Sequence, residues 1–204
     1  MIADPAPRRR RRSPEEARSE ILRATEHFLR ERPFRDLTVD EVMAGTGLSR
    51  PSFYVYFRDR HGLLLSLVEE MGAELFAQAN RWLKGAGDPV ADARAALEGV
   101  ASVYREHGRA LRAIADASSL DPQVEAVYRG LVERFVTATS EHITEEMGAG
   151  RIEPVDPLET ARALVWMTER YLLDRLGGRD RASVPRVVEV LLTIWVRALY
   201  ADTP

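Results

Sequence analysis

Apolar residues recur at spacings of three and four through most of this 204-residue chain, and that period predicts helices. Ile21, Leu22, Thr25, Phe28 and Leu29 form one such stripe, with Glu15, Glu16, Arg18, Glu20 and Arg23 facing away from it. Ser13-Pro14-Glu15-Glu16 supplies its start: a serine N-cap, a proline in the first turn and a glutamate at the third helical position. Pro33 stops it. Thr38-Val39-Asp40-Glu41 reads as a capping box that opens a short helix from Val39 to about Thr46. Gly47 is then expected to take the left-handed turn, Ser49 to cap the next helix and Pro51 to sit in its first turn. Asp59 caps a long helix whose stripe of Leu63, Leu64, Leu67, Val68, Met71 and Leu75 runs on to about Leu83.

Beyond the breaker Lys84-Gly85-Ala86-Gly87-Asp88-Pro89, the same period predicts helices over 89–106, 109–117, 121–147, 157–176 and 184–202. The separators are Gly108, Asp121-Pro122, residues 148–157 and residues 177–183. No stretch alternates β-branched and polar residues between turns, so the fold class is all-α.

Composition narrows the setting. There is no cysteine, which excludes disulfides, thiolate metal sites and cysteine nucleophiles and suits a reducing cytoplasm. No apolar run reaches the roughly 18 to 20 residues of a membrane span, and the basic N-terminus lacks the apolar stretch of a secretory signal. A soluble cytoplasmic protein with no membrane partner is the expectation. Charge is uneven: residues 1–60 hold 13 Arg against 10 Asp or Glu, a net +3, so the remainder carries −6 within the total of −3. Arg8 to Arg12 are consecutive among prolines, and such a run does not fold alone. Residues 1–13 are thus a disordered basic arm, either a solubilising tail or an arm that follows nucleic-acid phosphates.

The segment Arg50-Pro51-Ser52-Phe53-Tyr54-Val55-Tyr56-Phe57 carries the chemistry. Two short helices around Gly47 behind a supporting helix are the layout of a helix-turn-helix, whose second helix enters the major groove. Phe53 and Phe57, four apart, share the inward side with Val42, Leu48 and Leu22. Ser52, Tyr54, Val55 and Tyr56 fall on the other flanks. A tyrosine hydroxyl can bond a phosphate oxygen, and a helix N-terminus attracts one. The competing reading puts all these rings in the core. The length of the chain leaves one domain or two open; the division expected is a helix-turn-helix unit over 14–60 and a larger second unit over 61–204.

The run from Thr38-Val39-Asp40-Glu41-Val42 through Gly45-Thr46-Gly47-Leu48-Ser49-Arg50 to Phe57-Arg58-Asp59-Arg60 resembles the DNA-binding domain of TetR-family transcriptional regulators. Met167-Thr168-Glu169-Arg170 and Leu192 to Tyr200 resemble one branch of that family more weakly. The resemblance implies nine helices, three for DNA and six for a ligand-responsive dimeric core. It implies that Thr38, Ser49, Tyr56 and Arg60 contact phosphates, that Arg50, Ser52 and Val55 approach base edges, that Tyr54 bonds the backbone and that Pro51 touches a thymine methyl. Arg50 carries the most discrimination, on the order of 1 to 3 kcal/mol where it bonds guanine bidentately. Val55 stands where the family usually places a basic or aromatic group and offers apolar contact only.

In the C-terminal body Leu158, Ala161, Leu164, Val165, Thr168, Tyr171 and Leu172 repeat at helical spacing, as do Val187, Val188, Leu191, Ile194, Trp195, Ala198 and Leu199. Such wide apolar faces serve internal packing or a partner; the resemblance implies a homodimer through these last two helices. Tyr104, Tyr128, Phe135, Trp166, Thr168, Tyr171 and Trp195 supply rings and a few hydroxyls, which fit either a core or the wall of a site for a small apolar effector. By resemblance Tyr128, Phe135, Val165, Thr168 and Trp195 line a long pocket. The polar amides expected at Val165 and Thr168 are absent, which favours an apolar or otherwise different effector.

No catalytic constellation appears. His27, His61, His107 and His142 are scattered, no HExxH, phosphate loop or nucleophile elbow is present, and no cofactor or metal is expected. His142 with Glu145 and Glu146 has metal-compatible spacing but reads more simply as a solvated charged face. The sequence thus points to a nucleoid-associated DNA-binding regulator, a ligand-responsive repressor that binds a palindromic double-stranded operator as a homodimer. The alternatives are an activator, or a ligand-binding or scaffold dimer without specific DNA recognition.

Overall fold

Ser13 opens the first helix with a complete capping box: its hydroxyl accepts from the Glu16 amide at 3.1 Å and the Glu16 carboxylate accepts from the Ser13 amide at 2.7 Å. In this computed structural model residues 13–84, 87–178 and 180–200 are described, and the arm with Arg8 to Arg12 lies outside them. Among the described residues there are eight α-helices, one 3₁₀ turn at Phe34–Asp36 and no strand. The helices are α1 Pro14–Glu31, α2 Val39–Ala44, α3 Arg50–Tyr56, α4 Arg60–Leu83, α5 Pro89–Ser118, α6 Pro122–Gly148, α7 Pro157–Leu176 and α8 Val184–Leu199. None is long and apolar enough to cross a membrane.

Four of these helices begin at an aspartate that accepts from backbone amides of the first turn, Asp59 for α4, Asp88 for α5, Asp121 for α6 and Asp156 for α7. A proline follows directly in α5, α6 and α7, where its missing N–H costs no helical bond. One continuous apolar core runs from Ile21 in α1 to Leu199 in α8. Helix α4 joins its two ends, packing on α1, α5 and α6.

The helix break expected at Gly108 does not occur: α5 runs unbroken for 30 residues, so the described residues hold eight α-helices where nine were expected. Gly108 is instead a contact glycine. A Cβ there lies 2.9 Å from Gly177 Cα and 3.0 Å from the Leu176 carbonyl oxygen, so the missing side chain lets α5 touch the last turn of α7 backbone to backbone. Residues 109–117 therefore continue α5 and carry Leu111 and Ile114 into the core.

The solvated charged face expected at His142 is also corrected. His142 and Glu146 are buried, His142 packs edge-on against Trp82 at a centroid distance of 4.2 Å, and Glu146 pairs with Arg151. Burial holds the imidazole below its ordinary pKa, and the Arg151 bond holds the Glu146 carboxyl down.

Candidate nucleic-acid interface and core cavity

The turn between α2 and α3 forms without a left-handed residue; among the described residues the only positive φ is at Gly150. Thr46 Oγ1 donates to the Met43 carbonyl at 2.9 Å and accepts from the Leu48 amide at 3.2 Å, while the Gly47 amide donates to Glu20 Oε1 on α1 at 2.8 Å. Two side chains thus do what the sequence reading assigned to a glycine conformation. The capping box at Thr38 is half built. Thr38 accepts from the Glu41 amide at 3.2 Å, but Glu41 turns to Arg32 at 2.9 Å.

Helix α3 splits into two sides. Phe53 and Phe57 are buried, with ring centroids 5.6 Å apart, in the same core cluster as Leu22 and Val42, and Leu48 packs against it. Val55 is 75% exposed and Tyr54 55% exposed, while Tyr56 is half-buried. Ser49 occupies the N-cap position, but its hydroxyl meets Ser52 Oγ at 2.9 Å instead of capping the backbone. Arg50 Nε lies 3.3 Å from Asp40 Oδ1 on α2, with both side chains largely exposed. Pro51 is exposed beside them. Arg60 stands apart from this group: its guanidinium covers the Phe34 ring at 5.1 Å, and Nη1 reaches the Arg35 carbonyl at 3.5 Å. The exposed residues of α3 are thus a guanidinium, a phenol and two apolar side chains, Pro51 and Val55, and Thr38 is exposed at the start of α2.

A second feature lies between α4, α5, α6, α7 and α8. It is a cavity of about 110 Å³ with an almost wholly apolar wall. Tyr104, Tyr128, Phe135, Val165, Thr168 and Trp195 line it, six of the eight positions considered from sequence. Trp166 and Tyr171 do not. On α7 the lining positions are Val165, Thr168, Glu169, Leu172 and Leu173; at about 100° per residue Tyr171 falls some 60° beyond Thr168 at one edge of that arc, while Trp166 falls within about 20° of Leu173 at the other edge, two turns earlier along the helix. Trp166 instead meets the Tyr128 ring edge-on at 6.5 Å.

The polar atoms of the wall are mostly committed. Trp195 Nε1 donates to Thr168 Oγ1 at 2.9 Å, and Trp82 Nε1 donates to the Tyr200 hydroxyl at 3.3 Å. Tyr128 donates its hydroxyl proton to Glu169 Oε1. Glu169 Oε2 is buried with no hydrogen-bond partner, and its nearest cation is Arg170 Nε at 3.9 Å. Burial pushes the Glu169 carboxyl above its ordinary range, with the Tyr128 bond offsetting only part of that. Burial and the neighbouring Glu169 charge push both Tyr104 and Tyr128 up, so both phenols stay protonated donors at neutral pH.

Residues 21–67 match the family description "Bacterial regulatory proteins, tetR family", and residues 93–201 match "Transcriptional regulator EthR, C-terminal domain". The chain belongs to the TetR family of transcriptional regulators. Within that family it is similar to the HTH-type transcriptional regulator EthR of Mycolicibacterium smegmatis, 28% identical over 201 residues that cover 95% of this chain and 91% of that one. It is also similar to EthR of Mycobacterium tuberculosis, 29% identical over 191 residues covering 89% and 86%. Among solved structures, a TetR-family regulator from Syntrophomonas wolfei shares the fold at a TM-score of 0.79 and 14% identity, over 91% of this chain and 96% of that one. These TetR-family relatives are regulators and not enzymes, and this chain is a DNA-binding regulator of the same kind.

Two wall residues of this TetR-family chain escaped the sequence reading although a signal for each existed. Glu169 sits in register with Ala161, Val165, Leu172 and Leu176, a charge at an apolar-stripe position. Trp82 continues the α4 stripe of Met71 and Leu75 and lies between the cavity and His142.

Proposed function

We propose that this chain is a homodimeric, ligand-responsive repressor whose α3 helices enter successive major grooves of a palindromic operator. The observation that carries this reading is the division of α3: Phe53 and Phe57 are locked in the core while Arg50, Tyr54 and Val55 stand in solvent. A helix anchored by one face and bare on the other is what groove insertion requires. Arg50 and Ser52 read base edges with Val55 and Pro51 as apolar contacts, and Thr38, Ser49, Tyr54, Tyr56 and Arg60 hold phosphates. Thr38 uses its oxygen as acceptor for the cap, which leaves its proton for a phosphate. With Val55 offering no hydrogen bond, discrimination falls to Arg50, Ser52 and DNA shape.

Dimerisation through α7 and α8 is supported by the outward sides of those helices. Val190 and Ile194 are exposed one turn apart on α8, and Trp166, Met167 and Tyr171 are only half-buried on α7. The cavity binds a small, mainly apolar effector. Its lever is α4: Leu75, Ala79, Trp82 and Leu83 line the cavity at one end, and at the other only Phe57, Arg58 and Asp59 separate Arg60 from α3. The helix has 24 residues, about 36 Å at 1.5 Å per residue. An effector that favours one placement of α4 shifts the spacing of the two α3 helices, and only to the extent of its differential affinity for the two states.

The test is a mobility-shift titration on DNA from upstream of the protein's own gene, with wild type and the double variant Tyr54→Phe, Tyr56→Phe. Loss of two phosphate hydrogen bonds weakens binding by about tenfold with the dimer intact in sedimentation. Unchanged binding at moderate salt removes these hydroxyls from the interface.

A further inference from the structure

The cavity has one chemical asymmetry. The two indole N–H groups of the wall are already bonded, Trp195 to the Thr168 hydroxyl and Trp82 to the Tyr200 hydroxyl, so the neutral donors left are hydroxyls. What remains is a carboxyl group. Glu169 is only 6% exposed, lies in the cavity wall, and accepts a single hydrogen bond, from Tyr128, through one of its two oxygens. A carboxylate buried with spare acceptor capacity is costly unless a donor or a cation satisfies it. Arg170 does not do so: its Nε is 3.9 Å away and its side chain is mostly in solvent. The rings of Trp82, Tyr104, Tyr128, Phe135 and Trp195 surround the same space, and aromatic faces attract cations.

We propose that the effector of this regulator is an apolar molecule bearing a protonated amine, whose N–H groups donate to the Glu169 carboxylate while its apolar body fills the aromatic cavity. The inference rests on the reading of the cavity as the effector site. It also sets what the site rejects: a ligand ending in a carboxylate meets the Glu169 charge in a wall that offers it no cation. A neutral alcohol of the same length keeps the apolar contacts but loses the charge-assisted bond.

Three probes of equal chain length, n-decylamine, n-decanol and decanoate, separate the outcomes when titrated calorimetrically at pH 7.5 into wild type and Glu169→Gln. Decylamine is expected to bind wild type on the order of tenfold or more tighter than decanol and to lose that advantage in Glu169→Gln, while decanol binds both forms alike. Decanol or decanoate binding as well as the amine overturns the assignment to Glu169 and leaves the cavity as the effector site. Failure of all three probes to bind overturns the cavity reading itself. The wild type supplies a second measurement that needs no variant. The groups facing Glu169 are Tyr104 on α5 and Tyr128 on α6, phenols whose raised pKa keeps them neutral, and the Arg170 guanidinium on α7. Decylamine affinity therefore rises with pH as the carboxyl ionises, and decanol affinity stays flat. Parallel pH profiles for the two probes contradict the proposal.

Discussion

Replacing Gly108 by alanine adds one methyl group where α5 crosses the end of α7. The new Cβ meets Gly177 Cα at 2.9 Å and the Leu176 carbonyl oxygen at 3.0 Å, both backbone atoms that no rotamer change moves aside. Ordinary contacts begin roughly half an ångström further out, so α5 has to withdraw or α7 has to lose its last turn. Alanine gains about 1 kcal/mol of helix propensity over glycine in a helix interior, and overpacking a tight contact costs about 1 to 3 kcal/mol. The balance is a loss of up to about 2 kcal/mol, or a fall of up to about 8 °C in Tm for a chain of this size. Gly130 on α6 is the control, because a Cβ there meets nothing within 4 Å; Gly130→Ala gains about 0.5 to 1 kcal/mol. The assay is thermal unfolding by circular dichroism at one protein concentration, since subunit association adds to apparent stability. If Gly108→Ala melts as high as Gly130→Ala, the backbone contact of α5 on α7 is wrong.

Three further outcomes follow from side chains near the DNA-facing end. Asp40→Asn frees Arg50 from its exposed partner and removes a charge that repels phosphate, so operator affinity in an anisotropy titration rises about two- to fivefold; an unchanged Kd removes Asp40 as a competitor. Arg60→Ala lowers the slope of log affinity against log salt by about 0.9, and an unaltered slope takes Arg60 off the phosphate list. His107 donates from Nδ1 to Glu26 on α1 at 2.8 Å and places Nε2 3.3 Å from Glu74 on α4. The Glu26 hydrogen bond raises its pKa above 6.5, so its stabilisation is complete below that value and is lost as pH rises through the raised one. For Glu26, burial pushes the carboxyl up, but the bonds from His107 and Arg30 outweigh it and lower the pKa below 4.5; its contribution is lost only as pH falls through that lowered value. Urea unfolding midpoints of wild type thus decline from about pH 6.5 upward, and His107→Gln flattens that decline; an equal decline in the variant refutes the link.

The sequence exposed these features unequally. Helix starts were legible because a capping side chain acts within three residues of itself, and Ser13, Asp59 and the split of α3 into Phe53 and Phe57 against Tyr54 and Val55 follow from local spacing alone. Gly108 was misread because a glycine that breaks a helix and one that lets two helices touch look identical without the partner, here Gly177, 69 positions on in the numbering. The burial of His142 and Glu146 depends in the same way on Trp82 arriving from α4. Trp166 and Tyr171 share the composition of the cavity wall but do not line it; Tyr171 falls outside its arc on α7, and Trp166, at the angle of Leu173, stands two turns earlier along the helix, neither of which composition carries. Glu169 was visible as a charge in an apolar stripe, but that this stripe lines a cavity depends on residues of α4, α5, α6 and α8 distant in the chain.

Whether the bare face of α3 reads DNA from two subunits at once is decided by hydroxyl-radical footprinting on the protein's own upstream DNA. Two protected tracts are expected, related by dyad symmetry and centred one helical turn apart, about 10 base pairs, both lost in Arg50→Ala at a concentration where wild type saturates the site. A single protected tract, or protection by Arg50→Ala equal to that of wild type, contradicts it.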